Sequence, residues 1–243
     1  MKSEFTGYLS KVVLLIDEIY IENCIDYKSG RICGFAENSN AEEPAKTVLS
    51  FMVSQIKGKS NEIIALIPVY RLNAQQLLKY VHCVMDCCIN SLNLNIHSII
   101  TDCLITNQKM FKALSGKANI MDCSITYFEC NDISYKLFLQ NDTVHLIKLI
   151  WRNWNKKTIL QFPNPNDLES HLIADFSAIV SIYNKEKNLL AKVAHRINRK
   201  CLFPTSQESQ RVKLALAIFC EETLEGINYY GVDGGKEGGT YFH

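Results

Sequence analysis

Five consecutive aliphatic residues, Val12-Val13-Leu14-Leu15-Ile16, run straight into two acids, Asp17 and Glu18. A segment this short, apolar at every position and rich in β-branched side chains, reads as a strand buried on both faces. An ionised carboxylate is costly inside such an element unless it is paired or bound to metal. Asp17 is therefore expected where the strand emerges. Taken alone, it has a plain reading as a turn-capping acid. A second copy of the arrangement opens another reading, because Ile96-His97-Ser98-Ile99-Ile100-Thr101-Asp102 is again a short apolar strand ending in an acid. Whether the two ends meet depends on the topology between them.

That topology is set by turn and helix signals. Tyr27-Lys28-Ser29-Gly30-Arg31 reads as a turn and Ile32-Cys33-Gly34-Phe35 as a second strand, followed by a polar loop from Asn38 to Pro44. Lys46 to Ser54 and Ile63 to Val69 read as further strands. Asn73 with Gln76 three residues on approximates a capping box, and Leu77, Val81, Val84, Met85, Cys88 and Ile89 follow at helical spacing. After the strand ending in Asp102, residues 106–114 read as a short helix, stopped at Gly116. Strands, a helix, a strand and a helix give the order βββαβα. A crossover helix lets the later strand pair parallel with the first, and that layout sets the Asp17 and Asp102 ends side by side.

Beyond Met121 the pattern changes. Ser124 to Phe128 and Tyr135 to Leu139 read as a hairpin. From Asp142 the chain reads as mostly helical, with helices over 144–154, 167–183, 189–199 and 207–224, broken at Phe162-Pro163-Asn164-Pro165 and Phe203-Pro204. This divides the chain into a mixed-sheet domain at 1–145 and a helical domain at 146–243.

Composition enters by what it excludes. The chain has 243 residues and a formal net charge of +1, so any nucleic-acid contact must come from local patches and not from a global basic field. No apolar run reaches membrane-spanning length, and no membrane role is expected. The ten cysteines show no disulfide-framework spacing and no CxxC pair. Most are expected as small buried hydrophobes in a reducing, intracellular compartment, with zinc at His82, Cys83, Cys87 and Cys88 as the alternative. His145, Lys148, Arg152, Lys156 and Lys157 interleave with Trp151 and Trp154. Two readings stand: contact with a DNA backbone or nucleotide phosphates with a Trp as stacking partner, or a helix with two core tryptophans and a wet basic face. Gly231 to Glu237 looks like a phosphate loop but lacks the Ser/Thr after Lys236 and follows a helix where a strand is required.

Several of these segments together resemble the P-element transposase family, which includes transposases bearing a THAP zinc-binding domain. They are Leu15-Ile16-Asp17-Glu18, Gly34-Phe35, Ile100-Thr101-Asp102 with Asn107, Asp142-Thr143-Val144-His145-Leu146-Ile147-Lys148 with Arg152-Asn153, and Val212-Lys213-Leu214-Ala215. The resemblance implies an RNase H-like mixed sheet whose DDE/D acids bind Mg²⁺ or Mn²⁺, with Asp17 matching the first acid and Asp102 the second. It further implies DNA (transposon ends) as partner, a homo-oligomer, a nuclear location, and a helical insertion domain of the GTP-binding type. The family's third acid, a Glu, lies beyond that insertion and nothing here matches it. Glu221, Glu222 and Glu225 read as a solvated helix face. Trp151 stands where the family has Arg, and no zinc module precedes Asp17. The resemblance thus implies metal-dependent cleavage and strand transfer on DNA that this chain does not complete alone. The alternative is a non-catalytic nuclear module that keeps the fold for DNA or protein binding.

Overall fold

The computed structural model describes residues 11–39, 42–117, 125–130 and 133–230. They fall into two compact units that divide between Asp142 and Thr143. The Gly231 to Glu237 segment lies outside the described residues.

In the first unit, β1 (Lys11–Tyr20), β4 (Thr47–Gln55), β5 (Asn61–Val69), β6 (Asn95–Thr101), β7 (Ile125–Cys130) and β8 (Ile133–Asn141) form one mixed sheet in the order β5-β4-β1-β6-β8-β7. The β1/β4, β4/β5 and β7/β8 pairs are antiparallel, whereas β1/β6 and β6/β8 are parallel. The crossover from β5 to β6 is α1 (Ala74–Asp86), which has the capping box expected at Asn73 and Gln76. Its last turn widens into a π-type turn over Cys87–Ser91. A second helix, α2 (Ile105–Ser115), ends at Gly116 in the left-handed conformation, with φ 66°.

Burial along β1 alternates. Val12, Leu14 and Ile16 are buried and pack with Leu77, Val81 and Met85 of α1 and Met110 and Phe111 of α2. Val13 and Leu15 point the other way and are only half-buried. The strand is thus not sealed on both faces as its unbroken apolar run suggests, because the helices of this unit pack the Val12 side.

The segment read as the second strand of the sheet has another role. Asp26–Lys28 (β2) and Arg31–Cys33 (β3) pair only with each other, in a hairpin apart from the main sheet. Gly34 follows at φ +108°, with its Cα so close to Cys24 that a Cβ would lie 2.1 Å from the Cys24 carbonyl oxygen. Only glycine fits there. The true neighbour of β1 is β4.

The second unit holds α3 (Thr143–Lys157), a hairpin of β9 (Ile159–Asn164) and β10 (Asp167–Asp175), then α4 (Phe176–Glu186), α5 (Arg199–Leu202), α6 (Val212–Leu216) and α7 (Glu221–Tyr230). Three of the four expected helices change. Residues 167–175 are a strand, with His171 opposite Pro163; a two-stranded ribbon is all edge, so Pro163 costs no ladder bond a neighbour needs. The 189–199 helix is absent because the buried Glu186 carboxylate accepts the Val193 and Ala194 N–H groups, at 2.8 and 3.2 Å, and holds that segment in turns. The long 207–224 helix breaks between α6 and α7, where the Thr223 hydroxyl donates to the Ala217 carbonyl at 2.9 Å.

Among the described residues no helix is long and apolar enough to cross a membrane. Of the eight cysteines whose side chains are described, only Cys88 and Cys201 are buried, while Cys24, Cys33, Cys83 and Cys87 are exposed. Most of them are therefore not the core hydrophobes their composition suggested.

Candidate functional site

The parallel ladder between β1 and β6 ends at Ile16 opposite Thr101. One residue further along each strand stand Asp17 and Asp102, side by side on strands about 4.8 Å apart. Both expected site residues are therefore brought together, and each is fixed locally. The Asp17 Oδ1 accepts the Glu18 N–H at 2.9 Å. The Asp102 Oδ1 accepts the Leu104 N–H at 3.0 Å and the Asn107 side-chain amide at 2.6 Å, which ties the acid to the first turn of α2.

The third strand of this set was not read as part of the site. β6 also pairs parallel with β8, and this ladder ends at Thr101 opposite Asn141. Asp142 follows, its N–H donating to the Thr101 carbonyl at 2.7 Å. Asp102 and Asp142 thus follow the last residues of β6 and β8, level with Asp17, which lies inside β1 and pairs with Ser50 of β4, so the strand does not end at this acid as its sequence suggests. The signal in the sequence was weaker than at the other two acids, since the apolar run Leu137-Phe138-Leu139 is separated from Asp142 by the polar Gln140 and Asn141.

Glu18 adds a fourth carboxyl. It is half-buried and accepts the Thr47 hydroxyl at 3.1 Å. Burial pushes its carboxyl above the usual range; the Thr47 bond opposes this, and the charges of Asp102 and Asp17 add to it. Carboxylates thus gather where the β1/β6 and β6/β8 ladders stop, and the Cys103 thiol beside them is raised as well, by burial first and then by Asp102 and Asp142.

What such a cluster can hold follows from its donors. Carboxylate oxygens are hard ligands suited to Mg²⁺ or Mn²⁺, and Mg²⁺ is commonly held by one or two carboxylates with waters and substrate phosphates completing its shell. Two adjacent aspartates fit that pattern. Among the described residues there is no group of three His, Cys, Asp or Glu side chains arranged to hold a metal ion. His82 and its neighbouring cysteines form no such group either, and the His82 ring lies 5.5 Å from that of Phe128.

The basic stretch in α3 resolves differently. Trp151 and Trp154 are 0% and 3% exposed, and their indole N–H groups donate to the carbonyls of Cys201 and Ala174, each at 3.0 Å. Neither ring is free to stack on a base. Arg152, Lys156 and Lys157 are exposed. The second unit also has a cavity of about 280 Å³ walled by Trp154, Ile179, Phe219, Leu224 and Ile227.

Residues 2–115 match the family model of the TNP-like, RNase H N-terminal domain. Among solved structures, the fold is similar to that of a chain in the Drosophila P element transposase strand transfer complex, with a TM-score of 0.74 at 20% identity. The likeness covers 97% of this chain and 48% of that one, so this chain spans about half the length of its structural relative. No curated protein sequence matches it.

Proposed function

From a P-element-type, RNase H-like transposase fold whose first half matches the TNP-like RNase H N-terminal domain, we propose that this chain carries the metal-binding part of a DNA phosphodiester-transfer site. The observation that supports this most is the parallel register that sets Asp17 beside Asp102, one residue past the last β1/β6 pair. In this reading each aspartate contributes a carboxylate oxygen to a divalent cation, Mg²⁺ or Mn²⁺. Such a cation, when bound, supplies Lewis acidity to the phosphodiester oxygens.

The chain's own residues do the rest. The Leu104 N–H and the Asn107 amide hold one Asp102 oxygen, and Thr47 holds Glu18 against the sheet. Cleavage and strand transfer need a third acid, which this reading places outside the residues matched by motif, so the site binds metal but is catalytically incomplete on its own. DNA as partner, a homo-oligomeric assembly and a nuclear location belong to the same reading. GTP binding by the second unit is supported by the family resemblance; the cavity there offers apolar walls and, among the side chains lining it, no cation for phosphates.

A second reading, a non-catalytic DNA- or protein-binding module that keeps the fold, is favoured by one observation: no three-ligand metal group exists among the described residues. Calorimetric titration with Mn²⁺ separates the two. Binding to the wild-type chain that is lost in Asp17→Asn and in Asp102→Asn supports the metal site. Absence of binding to the folded wild-type chain removes it and leaves the second reading.

A further inference from the structure

We infer that Asn107 is a positioning residue for the Asp102 carboxylate, fixing which oxygen of that acid faces a bound divalent cation; the inference rests on the metal-site reading above. Asn107 is 7% exposed and lies in the first turn of α2, on the same side as the buried Met110 and Phe111. Asparagine is a weak helix former because its amide competes for backbone groups, and a buried amide without partners costs about 1–3 kcal/mol. Helix formation does not call for it here. Its side chain instead reaches back five residues to Asp102 at 2.6 Å, the tightest contact made to either aspartate.

The consequence is an asymmetry within one carboxylate. Oδ1 accepts both the Asn107 amide and the Leu104 N–H, whereas among the described residues no hydrogen bond reaches Oδ2. Two donors on Oδ1 stop the carboxylate rotating about χ2, and Oδ2 is left as the oxygen available to a cation. Asn107 suits this role better than a charged residue. A lysine there would repel the cation, and an aspartate would repel Asp102. The helix is itself held against the neighbouring strand, since the Gln108 amide donates to the Asn141 side-chain oxygen at 2.5 Å. Partners of ligating carboxylates are worth about 10–100-fold in metal affinity, and that is the range expected for Asn107.

The test uses the full chain, with Mn²⁺ as the probe. Free Mn²⁺ is measured by electron paramagnetic resonance during titration of wild type, Asn107→Leu (similar size, no donor) and Asn107→Ser (smaller and polar, in case the leucine perturbs packing). Melting in excess EDTA confirms that each variant is folded. Expected is affinity weakened by about 10-fold or more in both variants, with a changed Mn²⁺ line shape at saturation. In the wild-type chain, the Asn107 side-chain amide resonance should shift in step with Mg²⁺ saturation. Wild-type affinity in folded variants, or an Asn107 amide that ignores Mg²⁺, overturns the positioning role and leaves the metal site standing. No Mn²⁺ binding by the wild type overturns the metal site, and the positioning role with it.

Discussion

Replacing Asp17 with Asn should make the metal-free chain more stable and the metal-loaded chain relatively less stable, so that the two proteins exchange rank when metal is added. The register places Asp17 next to Asp102, on strands about 4.8 Å apart. The neighbouring Glu18 carboxyl is raised by burial first, and the charges of Asp102 and Asp17 add to that. Two unit charges about 5 Å apart repel by roughly 0.8 kcal/mol at the dielectric constant of water and by about 3 kcal/mol at an effective value near 20. Asp17 is exposed, so solvent screening favours the lower end, about 1 kcal/mol. Asparagine keeps a side-chain oxygen to accept the Glu18 N–H, so the substitution removes charge without orphaning a donor. A relief of about 1 kcal/mol raises the melting temperature by about 2–4 °C in a chain of this size. Metal acts the other way: a cation at 100 times its dissociation constant stabilises the native state by about 2.7 kcal/mol, and Asp17→Asn forfeits most of that. Melting followed by circular dichroism at low ionic strength, in excess EDTA and in excess Mg²⁺ or Mn²⁺, reads both arms. Asp17→Asn melting below wild type in EDTA, or gaining as much as wild type from metal, refutes the reasoning.

Gly34→Ala should cost about 2 kcal/mol or more in denaturant unfolding, because φ is +108° and the new Cβ would meet the Cys24 carbonyl oxygen at 2.1 Å. Trp151→Phe keeps an aromatic ring in the second core but leaves the Cys201 carbonyl without its indole donor, so about 1–3 kcal/mol of stability should be lost, measured by circular dichroism. In the second unit, Glu208 accepts the Thr205 N–H and pairs with Lys200 at 3.0 Å, and these hold its carboxyl down to about 2. A depressed acid stabilises the fold above its unfolded value and loses that contribution as pH falls through about 2. Glu208→Gln should accordingly melt lower than wild type near neutral pH, with the gap closing toward pH 2.

The closeness of Asp17 and Asp102 was legible because each leaves a local signature, a largely apolar run that stops at a carboxylate. The register did the remaining work: once α1 crosses over, β6 pairs parallel with β1, and Ile16 opposite Thr101 brings the next residues level. Asp142 lacks that signature, because Gln140 and Asn141 separate it from the apolar run, and it follows a hairpin, whose returning strand is not an obvious parallel partner for β6. Asn107 was visible as a residue, yet its bond to Asp102 depends on where the loop of residues 102–104 turns, which no periodicity encodes. Glu18 was missed for a related reason. Its significance comes from half-burial against Thr47 of β4, a strand read from the sequence but not as the neighbour of β1, a place given to Ile32 to Phe35.

The second unit resisted reading because side chains there capture backbone groups that helices would otherwise use. Glu186 accepts the N–H groups of Val193 and Ala194, and Thr223 takes the Ala217 carbonyl, so apolar residues at helical spacing end up in turns and short helical pieces. The tryptophans show the same competition from the other side. Aromatics interleaved with Lys and Arg resemble a stacking surface until their N–H groups are traced, and both indoles donate to carbonyls of the same unit. A buried indole needs such a partner, which makes the pair of carbonyls as much a part of the core as the rings. The exposed charges of Arg152, Lys156 and Lys157 remain on the outer face of α3, where they can meet phosphate without any help from the tryptophans. Charge-reversal of all three should therefore weaken and flatten the salt dependence of DNA binding while leaving the melting transition of the Trp151 and Trp154 core in place; loss of that core along with binding would show that the basic face and the tryptophans are not separable.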